Sequence, residues 1–497
     1  MKRSKFSLSN YKLLTCNQGQ LVPIGLTEVL PGDTIQHSTS ALVRTLPLMA
    51  PLMHPVNMQI HHWFVPYRIL WDDFEDFITG GPDGDDDSVY PTVALPIRTD
   101  PGDLADYMGI PLNAGVESVS ALPFRAYNLI WNEFYRDQDL QTPLNISTAS
   151  GVDATTSQVL QYSAWEKDYF TSSRVDPQKG PDILVPIGNS APVVSTNVAV
   201  RFNTTDSVLG SKDLQVETGT PNLVLEGASV ASQKDLKFGN QTGLEANLAA
   251  ATGVDITLLR EAFALQRMQE ARGRYGSRFT EYLAYLGIRS SDARLQRPEY
   301  LGGGRQKLQV SEVLQTSPTA DDPDEFGVGN LRGHGIGAMR SNRYRRFFEE
   351  HGIIISLLTV KPRTMYTQGI PRLWNRRTKE DFWQKELQAI GQQEVLNKEI
   401  YLNATDVDGV FGYQDRYDEY RRTESTIAGE FRTTLDFWHM ARNFSAEPVL
   451  NASFVQSNPT DRVYAVGEAL GDQLQIMAYH SMQARRLVAQ TGKSFIY

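Results

Sequence analysis

Between Val56 and Trp71 the chain reads VNMQIHHWFVPYRILW, and it begins in strict alternation. Val56, Met58, Ile60, His62 and Phe64 fall on one face of a strand, and Asn57, Gln59, His61, Trp63 and Val65 on the other. Both faces carry large side chains, which predicts the wall of a sheet sandwich rather than a surface hairpin. Pro66 lacks an N–H for the ladder and ends the strand. Ile69, Leu70, Phe74, Phe77 and Ile78 then follow helical spacing up to Gly80-Gly81.

The same reading extends in both directions. Thr34, Gln36, Ser38, Ser40, Leu42 and Arg44 alternate with Ile35, His37, Thr39, Ala41, Val43 and Thr45, after a Pro31-Gly32 turn. Short helices are predicted at Asp103–Met108 and Pro123–Tyr135, and a longer helical region at Thr257–Tyr285, broken by Gly273 and Gly276. In that region Leu258, Ala262 and Leu265, with Leu259 and Phe263, form the expected apolar stack. Between Pro186 and Leu248 Thr, Ser, Asn, Gly and Val dominate and large aromatics nearly vanish, which suits a small β insertion. Gln306–Leu314 reads as a strand, Gly302-Gly303-Gly304 as a flexible turn, and Ser317–Gly337 as a loop. Further strands are predicted around Gly352–Val360, Lys398–Leu402, Glu430–Phe437 and Leu450–Val455. A helix is expected at Lys379–Ile390, opened by Thr378 and Asp381, and Val463–Ala489 reads as partly helical. Strands spread from end to end, with helices in the connections, suit a β-sandwich closed by distant segments, such as a jelly roll.

Composition narrows the chemistry. Of 497 residues 41% are hydrophobic and 21% charged, enough for a sizeable core. The net charge of -10 argues against an all-round basic surface but permits one basic face. Cys16 stands alone, so no intrachain disulfide forms. MKRSKFSLSNYK is basic without an apolar segment behind it, unlike a signal peptide, and no apolar run approaches the ~20 residues of a membrane span.

His61 and His62 invite a metal reading, but adjacent side chains leave opposite faces of a strand and do not easily share one ion. Asp83, Asp85, Asp86 and Asp87 start like a calcium loop. From Asp83, position six is Ser88 and position twelve Ala94, so the motif fails and a solvated acidic loop is the better reading. Thr491-Gly492-Lys493-Ser494 ends like a phosphate-binding loop, but Leu487 stands where its first glycine belongs. Nothing nominates an active site, and no cofactor is expected.

Basic and aromatic residues coincide in two places. One cluster is Arg340, Arg343, Tyr344, Arg345, Arg346, Phe347 and Phe348; the other is Arg372, Trp374, Arg376, Arg377 and Lys379. Cations neutralise phosphates and aromatic faces stack on unpaired bases, so the mixture suits single-stranded nucleic acid. It equally suits arginines paired with carboxylates across subunit contacts while the aromatics fill a core. The basic arm, with Lys2, Arg3, Lys5 and Lys12, reads either as a solvated tail or as a segment docked on an assembly partner.

The run from Leu21 to Gly81 closely resembles the major capsid proteins of the Microviridae, nearest their gokushovirus branch. The resemblance continues through Leu122–Leu140, Arg297–Ser317, Thr359–Val395, Phe411–Arg432 and Leu435–Phe444, and lapses at Pro186–Leu248. It implies a mainly β, eight-stranded antiparallel jelly roll of viral capsid type with long helix-containing insertions, and no enzymatic activity. It also implies sixty copies in a T=1 icosahedral shell with five-, three- and two-fold contacts around circular single-stranded DNA. Small internal DNA-binding proteins and a host surface receptor are the further expected partners, in a virion assembled in the bacterial cytoplasm without membrane insertion. The expected division is 1–185 as arm and first part of the shell domain, 186–248 as a three-fold protrusion, and 249–497 as the remainder of the shell domain. Lys2, Arg3, Lys5, Arg340, Arg343, Arg345 and Arg346 are the DNA-facing candidates; Val194, Val198, Val200 and Phe202 are the protrusion candidates. A cupin-like or carbohydrate-active enzyme and a lectin-like binding module are the alternatives, separable by particle size.

Overall fold

The structure is a computed structural model that describes residues 3–97, 100–112, 118–181, 183, 256–275, 278–314, 331–465 and 471–490, with six short strands between 193 and 246. Residues Met1–Gln178 with Arg272–Tyr497 form one compact unit, and Lys179–Ala271 a second.

Eight strands of the first unit build a sandwich: β1 (Asn10–Cys16), β2 (Val22–Val29), β3 (Thr34–Thr45), β4 (Val56–Pro66), β5 (Glu299–Lys307), β6 (Leu331–Arg340), β7 (Gly352–Pro362) and β8 (Leu474–Arg486). One sheet runs β1-β8-β3-β6 and the other β5-β4-β7-β2, all antiparallel. The pairs β1/β8, β2/β7, β3/β6 and β4/β5 are the rungs of one long hairpin rolled on itself, which is a jelly roll. The first sheet is widened by Ser4–Ser7 on β8, Gln309–Leu314 on β6 and Tyr344–Phe347 on β3. The insertions leave between β4 and β5 and between β7 and β8.

The two sheets differ in what covers them. Between them lies a core that includes Val22, Ile24, Val43, Met58, Ile60 and Ile476. The outer side of the β5-β4-β7-β2 sheet is covered as well: Trp63, Val65, Ile353 and Ile355 pack under Trp71, Phe124, Tyr127 and Ile130, the last three from the helix Leu122–Ile130. A strand buried on both sides reads as a continuous apolar run. Hence GIIISLLTV in β7, where six Ile, Leu and Val side chains are at most 3% exposed, each contributing about 1.5–3 kcal/mol of burial. The other sheet keeps the alternation, inward residues buried and outward residues mostly half-buried or exposed.

Several expected elements change. Val463–Ala489, expected partly helical, contains β8; its Ala, Met, Gln and Arg favour helices, but the inward row Leu474, Ile476, Ala478, His480, Met482 and Ala484 needs period two to fill the core. Lys398–Leu402 is not a strand: Asn397–Ile400 is a helical turn after the strand Gln392–Leu396. Glu430–Phe437 consists of tight 3-10 turns, and Leu450–Val455 is a helical turn capped by Asn451, whose side chain accepts from Phe454 N at 3.0 Å. The Lys379–Ile390 helix stops after Lys379–Asp381, although Asp381 does cap it. Part of the expected loop Ser317–Gly337 belongs to β6; 315–330 lie outside the described residues. Gly302-Gly303-Gly304 is no turn but the middle of β5, where a Cβ on Gly303 would stand 2.2 Å from the Ile60 carbonyl oxygen. The basic arm is not a free tail from Ser4 onward: Ser4–Ser7 and Asn10–Cys16 pair with β8 of the same chain.

In the second unit, one sheet has the order Leu223–Leu225, Ser211–Val216, Arg201–Thr204, Leu236–Phe238, and Val193–Ser195 pairs with Leu244–Ala246. The helix Ile256–Tyr275 leaves Leu258, Phe263 and Leu265 exposed, with Leu259 and Ala262 half-buried, so the expected apolar stack is not its covered side.

Candidate functional site

The histidines separate as their parity predicts. His61 Nδ1 meets Tyr135 Oη at 2.7 Å on the helix-covered side of β4. His62 faces between the sheets, 2.8 Å from Ser356 Oγ and 3.0 Å from Ser341 Oγ. There it joins His37 from β3 and His480 from β8: the His37 and His62 rings lie 4.6 Å apart, and His37 Nε2 is 3.2 Å from His480 Nδ1. His480 Nε2 donates to the Ile24 carbonyl at 2.9 Å, which leaves its Nδ1 to accept. Burial, reinforced by the neighbouring histidines, pulls His37 down to about 3 and His62 well below the usual range. These are neutral core imidazoles whose partners among the described residues are hydroxyls, one another and the Ile24 carbonyl.

The outward face of the β1-β8-β3-β6 sheet has a different character, and strand register defines it. Phe347, Thr34, Arg485 and Lys5 lie in one row, as do Arg345, Gln36, Gln483 and Ser7. Arg340, Ser40, Tyr479 and Tyr11 form another, and Ile336, Arg44 and Gln475 a fourth. With Arg332 the outward strand positions carry six cations — Lys5, Arg44, Arg332, Arg340, Arg345 and Arg485 — and no carboxylate, in a chain with 58 Asp and Glu against 48 Lys and Arg. Asp472, which accepts from Thr15 Oγ1, and Asp106 stand only at the margin beside β1. Tyr11, 68% exposed, stacks on Tyr479 at 4.5 Å between ring centres.

Of the expected DNA-facing residues, Lys5, Arg340 and Arg345 lie on this face. Arg3 stands at its end, its guanidinium 4.9 Å from the Phe347 ring centre. Arg343 is exposed in the turn between β6 and Tyr344–Phe347. Arg346 has the opposite parity and pairs with Glu299 at 2.7 Å. Lys2 lies outside the described residues. Arg44, Arg332, Arg485, Tyr11 and Tyr479 were not singled out from the sequence; the period-two parity of β1, β3, β6 and β8 is the signal that finds them.

The second basic cluster is built in the reverse sense. Arg372 pairs with Glu399 at 2.9 Å and reaches Glu419 at 3.8 Å, and Arg376 lies 3.6 Å from Glu419 and 4.4 Å from the Tyr420 ring centre. Its cations are engaged within the chain, and its aromatics face solvent: Trp374 is 66% exposed. Of the protrusion candidates, Val198 and Val200 lie outside the described residues. Val194 and Phe202 sit in strands, Val194 opposite Glu245 and Phe202 opposite Lys212 and Phe238. Among the described residues no group of three or more His, Cys, Asp or Glu is placed to hold a metal ion, and no helix is long and apolar enough to cross a membrane.

A jelly roll covered on one side by inserted helices, with a cationic face on the other, is an architecture that viral capsid proteins use. The chain belongs to the phage capsid protein (F protein) family, whose model matches residues 1–495. It is 36% identical to capsid protein VP1 of Bdellovibrio phage phiMH2K, over 93% of this chain and 90% of that protein. It is 34% identical to capsid protein VP1 of Chlamydia phage 1 (94% and 91%) and 30% identical to that of Spiroplasma virus 4 (92% and 88%). The resemblance to Microviridae capsids holds: the chain is a structural bacteriophage protein, not an enzyme, and its place is the virion.

Proposed function

We propose that sixty copies form a T=1 icosahedral shell around circular single-stranded DNA, with the outward face of the β1-β8-β3-β6 sheet turned to the nucleic acid. The observation that carries this reading is that the outward strand positions of one sheet face hold six cations and no carboxylate, together with the exposed Tyr11 stacked on the half-buried Tyr479. Phosphates are attracted by the former and unpaired bases stack on the latter. Arg3 and Arg343 extend the face at its ends, and Arg346 stands beside it. The 186–248 region, short strands poor in large aromatics, projects outward at the three-fold axes and meets the host receptor; small internal DNA-binding proteins share the interior. Electron microscopy of particles tests the reading: symmetry other than T=1, or this sheet face on the outer surface, rejects it. Deleting Ser195–Lys237 across a short Gly-Ser linker is expected to give particles that assemble and adsorb poorly.

A further inference from the structure

We propose that the segment 373–390 is a contact surface between copies of this chain, with Trp374 and Trp383 as its anchors; this rests on the shell reading above. Leu373, Trp374, Phe382, Trp383 and Ile390 are 57%, 66%, 53%, 52% and 58% exposed. A buried aromatic side chain covers about 150–250 Å². Five large apolar side chains exposed by half or more therefore leave roughly 400–500 Å² of apolar surface bare along one segment. That is half or more of the about 800 Å² that each partner gives to a standard interface.

The segment is held in place while it shows these side chains to solvent. Arg372 ties its start to Glu399, whose side chain is 2% exposed. Asp381 accepts from Arg377 N and Thr378 N at 2.7 Å each, and Tyr417 Oη donates to the Glu380 carbonyl at 3.0 Å. Trp383 Nε1 donates to Gln388 Oε1 at 3.2 Å, which fixes the indole. Preorganised aromatics lose little freedom on binding, and tryptophan is enriched among the residues that dominate interface energy.

Charge selects the occupant. Arg372 and Arg376 are paired with glutamates, and the exposed Arg377, Lys379 and Lys385 are interleaved with Glu380 and Glu386. A rim of mixed sign fits another protein surface and does not concentrate a polyanion. In a shell the protein beside each copy is another copy.

The test replaces the wild-type chain with Trp374→Ala/Trp383→Ala in infected cells and measures particles by sedimentation and microscopy. The expected result is a folded, soluble subunit with particle yield down by about tenfold or more, while Val152→Ser, at a residue 80% exposed elsewhere, keeps the wild-type yield. Should the double variant misfold, Ala389→Cys decides, because the native Cys16 is buried. Labelling of Ala389→Cys by a bulky maleimide is expected to be fast in free subunits and blocked in particles; equal labelling in both overturns the proposal. Wild-type particle yield from the double variant overturns it too, as does normal assembly with lost adsorption, which would make the surface a receptor site. A wild-type chain that forms no closed particle would instead reject the shell reading itself.

Discussion

Two stretches of this chain look alike as text, and the fold uses them in opposite ways. Arg340–Phe348 and Arg372–Lys379 both interleave arginine with aromatics. In the first, Arg340 and Arg345 stand on an open sheet face where the described residues offer them no carboxylate. Tyr344, between them and of opposite parity, turns inward to His37 at 3.1 Å. In the second, Arg372 and Arg376 are consumed by Glu399 and Glu419 while Trp374 is left bare. Composition proposes a nucleic-acid motif in both places. What separates them is whether the cations are already satisfied, and that depends on residues distant in sequence.

The largest expected effect comes from the inward side of the first stretch. His37, His62 and His480 have folded pKa values lowered by burial, so they are neutral in the fold and take up protons when it opens. Their contribution is therefore complete above the ordinary histidine pKa and lost as pH falls below it. For His37 and His62, whose values lie far below the ordinary one, the loss is up to about 2.7 kcal/mol per pH unit below pH 6. Urea titrations of the subunit from pH 7 to pH 5 should show it, and His37→Gln with His480→Gln should make it shallower, with His62 left to titrate. A wild-type pH slope in that variant would place the acid sensitivity elsewhere.

Next comes the second stretch. Arg372→Ala strands the buried Glu399, and the subunit should lose about 2–4 kcal/mol in denaturant unfolding, discounted for the partial exposure of Arg372. Arg345→Ala should cost no more than about 0.5 kcal/mol. Equal losses would erase the distinction between the stretches. The third test reads function instead of stability. Arg340→Gln/Arg345→Gln/Arg485→Gln should leave folding intact but weaken single-stranded DNA binding, lowering the salt slope by about 2. The same change at Arg377 and Lys379 should leave that slope unaltered. The smallest effect expected is Tyr11→Ala, about 1 kcal/mol of stacking on single strands, visible in DNA affinity at high salt.

The sandwich was legible where burial is two-sided or alternation strict. Val56–Pro66 and Gly352–Pro362 announce themselves, and the divergence of His61 and His62 follows from parity alone. The face itself was only half legible. Arg44 already stood in the alternation of Thr34–Thr45, but its neighbour on the next strand is Gln475, and Arg485 stands at the far end of that same strand opposite Thr34, in a segment whose composition favours helix. Without β8 as a strand, the rows that join Lys5 to Arg485 and Tyr11 to Tyr479 do not exist. The engaged state of Arg372 was not legible either: Glu399 comes from a helical turn where the pattern predicts a strand, and Glu419 from a 3-10 turn that the pattern does not mark.

The position of β8 also bears on how the molecule is made. It is the last strand of the sandwich in chain order, yet it lies in the middle of its sheet, with Ser4–Ser7 and β1 on one side and β3 on the other. His37 and His480 meet across 443 positions of sequence. A ribosome therefore releases β1 and β3 long before the strand that joins them, and both wait with open hydrogen-bonding edges of the kind that invite aggregation. Closure of such distant contacts is intrinsically slow. Synthesis of each subunit thus has a vulnerable interval that ends only when residues 474–486 emerge and zip the sheet shut.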